Sequence, residues 1–282
     1  MNILQSIFTD YYELHPRPAV IENVNKMIHC GDPSYGGAMY GCPHCGNLKF
    51  VPFRCKSRFC PSCGNKYNQL RSFHMSCKLV SCVHRHCVFT IPAELRVYFL
   101  EDRTLLDCLF HSVRDVVLRM FSKMNKTENF TPGLICILHT FGRDLKWNPH
   151  IHALISEGGA GNITPWRPVK HFDYNFLRNA FRKVLLEQLT SLIGPSFRKV
   201  KNEMYTRHED NKTVTETIPA LDFIQKLIVH IPEKHFKMLR YYGVYAKHHK
   251  QEKNLLVLEV YHKKRHKQRH GESNIRSFVM SF

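Results

Sequence analysis

The sequence predicts an α+β protein in which a small N-terminal domain organised by cysteines precedes a larger domain with a central antiparallel sheet flanked by helices. Three observations lead there. Two Cys-x-x-Cys pairs, Cys42/Cys45 and Cys60/Cys63, stand in a stretch from Cys30 to Gly64 that is dense in glycine and proline and poor in core residues. Strand-like runs follow at 86–91, 134–139 and 151–155. Longer segments with apolar residues at three- and four-residue spacings lie between and after these runs, the pattern of helices that pack one face against a sheet.

Taken in order, residues 3–28 read as one or two helices broken near His15-Pro16-Arg17-Pro18, because a proline ends a helix at about the residue before it. Residues 71–81 read as a short helix, and 86–91 as a strand stopped by Pro92. Residues 104–124 carry Leu105, Leu106, Leu109, Phe110, Val113, Val116, Val117 and Met120 on one helical stripe, with Leu109 and Val113 as core. Residues 134–139 and 151–155 form two strands joined by a short polar turn, the second ended by Glu157-Gly158-Gly159, which is the pattern of a hairpin. A further helix spans 172–193, introduced by Pro165 and Pro168 and carrying Phe176, Phe181, Leu185 and Leu189. The polar stretch 201–217 offers Met204-Tyr205-Thr206 as a strand fragment, and helical periodicity returns over 220–230. The division expected is a helical lead-in and metal-binding domain over 1–82, a larger domain over 83–260, and a basic tail over 261–282. The tail run Lys263-Lys264-Arg265-His266-Lys267-Gln268-Arg269 either lies on phosphates or stays solvated.

Charge narrows the partners. Lysine and arginine number 41 against 23 aspartates and glutamates, a formal net charge of +18 over 282 residues. Such an excess repels itself unless a polyanion shares the surface, so nucleic acid is the expected partner. Met1 to Asp10 lacks a basic leader before an apolar run, and no uninterrupted apolar stretch reaches the roughly 18 residues of a membrane span. Eleven cysteines, with close pairs early and few thiols in the second half, suit metal binding in a reducing compartment better than a disulfide framework. The expected location is therefore the cytoplasm.

Zinc takes four soft ligands in a tetrahedron, and two opposing Cys-x-x-Cys turns supply them. Cys42-Pro43-His44-Cys45-Gly46 and Cys60-Pro61-Ser62-Cys63-Gly64 each have the small residue that lets such a turn close. Cys42, Cys45, Cys60 and Cys63 are thus the expected ligands of a zinc-ribbon-like site, with Cys30 and Cys55 as residues that either exchange in or stay free. Arg54, Lys56 and Arg58 precede the second knuckle as a basic loop.

In Pro149-His150-Ile151-His152-Ala153 the alternation of a strand turns His150 and His152 to one side. Two adjacent imidazoles hold a divalent ion with positions open for a phosphate oxygen, or serve packing and solubility. His139, at the end of the preceding strand, is either a third ligand or an ordinary hydrogen-bonded strand end. Arg240-Tyr241-Tyr242-Gly243-Val244-Tyr245 provides two candidate nucleophiles, Tyr241 and Tyr245, which share a face if the segment is helical. A tyrosine-rich packing segment accounts for the same residues.

These motifs resemble, over nearly the whole chain, the bacterial insertion-sequence transposases of the two-tyrosine, rolling-circle type, which join an N-terminal transposase zinc-binding domain to a His-hydrophobe-His (HUH) nuclease domain. The resemblance is carried by the cysteine motifs, by Val88-Phe89-Thr90-Ile91-Pro92-Ala93-Glu94-Leu95, by 138–145 followed by Asn148-Pro149-His150-Ile151-His152, and by 230–236 leading to Arg240-Tyr241-Tyr242-Gly243. It implies an HUH-type sheet, structural zinc and a catalytic Mg2+ or Mn2+ on His150 and His152. The implied activity is single-strand cleavage through a 5'-phosphotyrosyl link with transfer to target DNA. Its implied partners are single-stranded element ends, target DNA, and another copy or a longer transposase; its implied setting is the nucleoid. The family's Tyr-x-x-x-Tyr segment is missing here, because Ser196-Phe197-Arg198-Lys199-Val200 runs almost directly into the polar stretch. The chain therefore reads as internally shortened near 200, and Tyr241 and Tyr245 fall at a later motif. A histidine common before the first knuckle is replaced by Gly37-Ala38-Met39. Two other functions compete: an inactive remnant that keeps zinc-dependent DNA binding, and a metal hydrolase that uses water, which needs acidic ligands the sequence does not place near the histidines.

Overall fold

The computed structural model describes residues 17–80, 82–124, 128, 130–142, 145–161, 163–169, 171–206, 230–246 and 275–280. These divide into two compact units, one from 17–78 with 230–236, the other from 79–206 with 237–246 and 275–280. The expected helix before residue 17, the helical pattern over 220–229, and the basic run 263–269 lie outside the described residues.

In the first unit, helix α1 (Pro18–Ile28) starts at a proline, whose missing N–H costs nothing in a first turn. It buries Ala19, Val20, Val24 and Met27. Strands β1 (Gly37–Gly41) and β2 (Leu48–Pro52) pair as an antiparallel hairpin with Cys42 and Cys45 in its connection. Helix α2 (Pro61–Lys78) begins inside the second knuckle and is longer than the 71–81 segment expected. Val20, Val24 and Met27 pack with Ile231 against Cys60, and Cys30, Cys55 and Cys63 lie against the same cluster. The apolar face of α1 thus backs the cysteines.

The second unit is built on β3 (His84–Phe89), β4 (Thr131–Phe141), β5 (Trp147–Ala160), β6 (Arg167–Pro168), β7 (Leu239–Gly243) and β8 (Ile275–Met280). The strands run in the order β7-β4-β5-β3-β8, with β6 on β5. All pairings are antiparallel except β3 with β8, so the expected central antiparallel sheet carries one parallel edge. Helices α3 (Ala93–Glu101), α4 (Leu106–Met124), α5 (Tyr174–Ile193) and α6 (Arg198–Thr206) accompany it. Met204-Tyr205-Thr206, expected as a strand fragment, ends α6 instead; the β preference of Tyr205 and Thr206 is context-dependent and is overridden by the helix that precedes them.

Alternation assigns the two faces of the sheet. Cys87, Phe89, Leu134, Cys136, Leu138, Ile151, Ala153 and Ile155 are each at most 1% exposed and meet α4 and α5, as in the edge-to-face contact of Phe89 with Phe181. The stripe of α4 read from the sequence, Leu106, Leu109, Phe110, Val113, Val116, Val117 and Met120, is buried throughout. Within this unit an ion pair between Arg85 and Glu157, 2.8 Å, is nearly closed to solvent and sits beside the Phe172 ring. On the opposite face β5 carries His150 and His152.

Candidate metal centres

The first centre gathers Cys30, Cys55, Cys60 and Cys63, whose sulfurs all lie within 4.8 Å of one another. Cys30 arrives at the end of α1, Cys55 precedes a turn with Lys56 at φ +56°, and Cys60 and Cys63 flank the first turn of α2. Cys30 Sγ and Cys63 Sγ are 3.6 Å apart, close to the roughly 3.8 Å between tetrahedral thiolates at a Zn–S distance of about 2.3 Å. Burial opposes ionisation of Cys30, but the Cys55 amide and neighbouring thiols donate to it and bring it down to about 7. Burial pushes the Cys55 and Cys60 thiols up, and a cation would favour their thiolate forms. The donor set fits zinc.

Cys60 and Cys63 thus join Cys30 and Cys55, and Cys42 and Cys45 do not enter this group. They form their own knuckle at the hairpin tip. Gly46, at φ +70°, donates its N–H to the Cys42 carbonyl at 2.9 Å. The amides of Cys45 and His44 point at the Cys42 sulfur and lower its pKa. The signal for the observed set was the spacing Cys55-x4-Cys60-x2-Cys63, with Cys30 at the end of an amphipathic helix.

The second centre is His139, His150 and His152, whose nearest ring nitrogens lie within 4.8 Å of one another. Antiparallel register sets His139 of β4 directly opposite His150. His150 Nε2 and His152 Nε2 are 3.0 Å apart, which equals the spacing of adjacent octahedral ligands at a metal–nitrogen distance of about 2.1 Å. Burial, then the nearby imidazoles, depress His152 to about 3. Burial likewise lowers His139 and His150, and His86 beside them. All are therefore neutral at pH 7, the form that binds a metal. His150 is 8% exposed, whereas His139, Ile137 and Phe141 are exposed, so this end of the face opens to solvent. The residues fit a divalent ion.

Two further residues on this face escaped sequence reasoning. His86 of β3 brings Nε2 to 2.7 Å from His152 Nδ1, and Phe141 stacks beside His139 with centroids 6.2 Å apart. Strand alternation was the available signal for His86, but the pairing of β3 with β5 is not written in either segment.

The two tyrosines part company. Residues 239–243 form a strand, so the helical sharing of a face expected for Tyr241 and Tyr245 does not arise. Tyr241 pairs with Ile135, Ile135 with Leu154, and Leu154 with His86; directly opposed residues point to the same side of a sheet. Tyr241 therefore shares the histidine face, two strands and one two-residue step from His152, or about 12 Å between backbones. Tyr245 follows the strand in a turn and packs on Gly133, where a methyl group would come within 2.4 Å of its ring. Its hydroxyl donates to His84 Nε2 at 2.7 Å and accepts from the Val80 amide at 3.3 Å. Burial raises its pKa further.

Residues 3–91 match the family described as "Transposase zinc-binding domain". Residues 133–204 and 195–253 match the family described as "Putative transposase" in two stretches that overlap at 195–204. The chain is 27% identical to "Transposase for insertion sequence element IS801" of Pseudomonas savastanoi pv. phaseolicola, over 82% of this chain and 71% of that protein. It is 25% identical to "Putative transposase y4qJ" of Sinorhizobium fredii (strain NBRC 101917 / NGR234), over 57% of this chain and 41% of that protein. The alignment to the first relative runs over 296 positions yet covers only 82% of a 282-residue chain. That relative therefore carries internal residues that this chain lacks.

Proposed function

The chain belongs to the insertion-sequence transposases of the two-tyrosine, HUH rolling-circle type with an N-terminal zinc-binding domain, and from that premise we propose that it cuts and transfers single-stranded DNA at element ends. The observation that carries this reading is the trio of neutral imidazoles on the open face of the sheet, with two Nε2 atoms 3.0 Å apart. His139, His150 and His152 would hold Mg2+ or Mn2+, and the ion would supply Lewis acidity to a phosphodiester oxygen.

The residues of the chain do the rest. Tyr241, on the same face, is the candidate nucleophile: its phenolic oxygen releases its proton and bonds to phosphorus, the P–O3' bond breaks, and the departing 3' oxygen takes up a proton from solvent in place of the one released. The resulting 5'-phosphotyrosyl link conserves the bond for transfer to target DNA, so no ATP is needed. Tyr245 is the weaker candidate, because its hydroxyl is already committed to His84. The exposed ring of Phe141 offers a stacking surface for an unpaired base beside the histidines. Structural zinc on Cys30, Cys55, Cys60 and Cys63 orders the unit that recognises the element ends. The cytoplasm and its nucleoid are the natural setting, with another copy or a longer transposase as a partner in strand transfer.

A second reading, an inactive remnant that binds DNA through its zinc unit without cutting, is favoured by the missing internal residues and by the buried setting of Tyr245. One experiment separates the two. The purified protein is incubated with single-stranded element-end DNA and Mn2+, and any protein–DNA adduct is mapped by mass spectrometry. Cleavage chemistry predicts an adduct on Tyr241 that is lost in Tyr241→Phe and in His150→Ala. Zinc-dependent binding with no adduct establishes the remnant.

A further inference from the structure

We propose that His86 is a positioning residue for the histidine site: it accepts the Nδ1 proton of His152 and so keeps His152 Nε2 as a bare lone pair facing the ion. The inference rests on the metal-site reading above, and it concerns a side chain outside the ligand trio.

A neutral imidazole carries one proton on either of two nitrogens, and only the other can bind a metal. His150 settles the choice locally, since its Nδ1 lies 2.7 Å from the Asn148 carbonyl oxygen and must donate there. Its Nε2 is left bare. At His152 the atom next to Nδ1 is His86 Nε2, at 2.7 Å. One nitrogen of that pair donates. If His86 donated, His152 would carry its proton on Nε2, the nitrogen that faces His150. If His152 donates, both Nε2 atoms are bare and converge at 3.0 Å, an arrangement that repels itself until a cation sits between them. The histidine ligand trio requires the second arrangement, with the His86 proton on its own Nδ1.

The placement of His86 follows from the strand pairing. Opposite Leu154 on β5, it stands one step along from His152 on the same face. The His86 and His152 rings are nearly parallel, 12° between planes with centroids 4.9 Å apart, which aligns the two nitrogens. Partners of this kind orient metal-bound histidines and typically change metal affinity by about 10–100-fold when removed.

The test uses the full chain with its zinc site filled. Mn2+ binding is measured by calorimetry on the wild type, His86→Leu, His86→Gln and His150→Ala, and nitrogen-detected NMR reads the tautomer of His152. We expect His86→Leu to weaken Mn2+ by about 10–100-fold. His86→Gln, whose side-chain carbonyl also accepts a proton, stays within about threefold of wild type. With diamagnetic Mg2+ bound, His152 is protonated on Nδ1 and His86 on its own Nδ1 in the wild type, and in metal-free protein the His152 proton shifts toward Nε2, the nitrogen that faces His150. Because the wild-type tautomer is read without any substitution, a His86→Leu chain that fails to fold leaves the proposal open to refutation. Wild-type Mn2+ affinity in His86→Leu, or a proton on His86 Nε2 in the Mg2+-bound wild type, overturns the proposal while leaving the trio intact. Mn2+ binding that is indifferent to His150→Ala overturns the trio and this inference together.

Discussion

Tyr245 and His84 show how one hydrogen bond decides what a side chain is for. The Tyr245 hydroxyl sits between the Val80 amide and His84 Nε2, and His84 Nδ1 in turn donates to the Cys82 carbonyl at 3.0 Å. Every polar atom in that chain has a partner, so Tyr245→Phe strands a buried acceptor and a buried donor. The expected cost is about 1–3 kcal/mol of stability, read as a lower urea midpoint, with DNA cleavage on Tyr241 retained; adduct loss in Tyr245→Phe with stability unchanged would reverse the assignment. The same network makes a pH prediction. Burial holds His84 down to about 4, below its unfolded value of about 6.5. The unfolded chain therefore binds the extra proton first, and the contribution of His84 is intact above pH 6.5 and lost as the pH falls through 6.5 toward 4. Its slope is about 1.4 kcal/mol per pH unit. His84→Gln should remove that part of the acid sensitivity, and parallel urea–pH profiles for wild type and variant would show that His84 does not contribute. None of this was legible in Arg240–Tyr245, where a four-residue spacing suggested a shared helical face; the strand ends at Gly243, with φ +58°, and the turn there carries Tyr245 away.

Elements with a strong period were legible, and those set by long-range pairing were not. The α4 stripe announced itself because seven residues at helical spacing all need the same burial, and the β4–β5 hairpin because polar turn residues separate two apolar runs. The partner of His86 was invisible because β3 meets β5 across more than sixty residues of intervening chain. The same limit explains the cysteines. Two matching Cys-x-x-Cys motifs suggest a pair of opposed knuckles, but α1 delivers Cys30 and the turn before α2 delivers Cys55, and those two complete the group with Cys60 and Cys63. A direct consequence is that Cys30→Ser or Cys55→Ser should abolish tight zinc binding, whereas Cys42→Ser should leave one zinc per chain by metal analysis. Loss of the zinc in Cys42→Ser would return the hairpin knuckle to the site. Chelation should also loosen α1, since the helix buries its apolar face against the cysteine cluster and a segment this poor in apolar core depends on the metal for folding.

At the scale of the whole chain, the excess of positive charge and the neutrality of the histidines separate binding from chemistry. A net charge of +18 attracts DNA mainly by displacing counterions from phosphates, a term that weakens steeply with salt. For a protein that neutralises about six to ten phosphates of a single strand, affinity should fall on the order of 10^3-fold between about 50 and 200 mM salt. His139, His150 and His152 add nothing to this term, because burial, with neighbouring imidazoles at His139 and His152 and Arg96 at His150, keeps them uncharged at pH 7. His150→Ala should accordingly keep the salt slope of the wild type in fluorescence anisotropy while losing the DNA adduct. Replacing exposed lysines or arginines should flatten the slope and leave Mn2+ affinity alone. A shallow slope in the wild type would mean that contacts other than phosphate neutralisation hold the strand, and the exposed aromatic ring of Phe141 is where such contacts would then be sought.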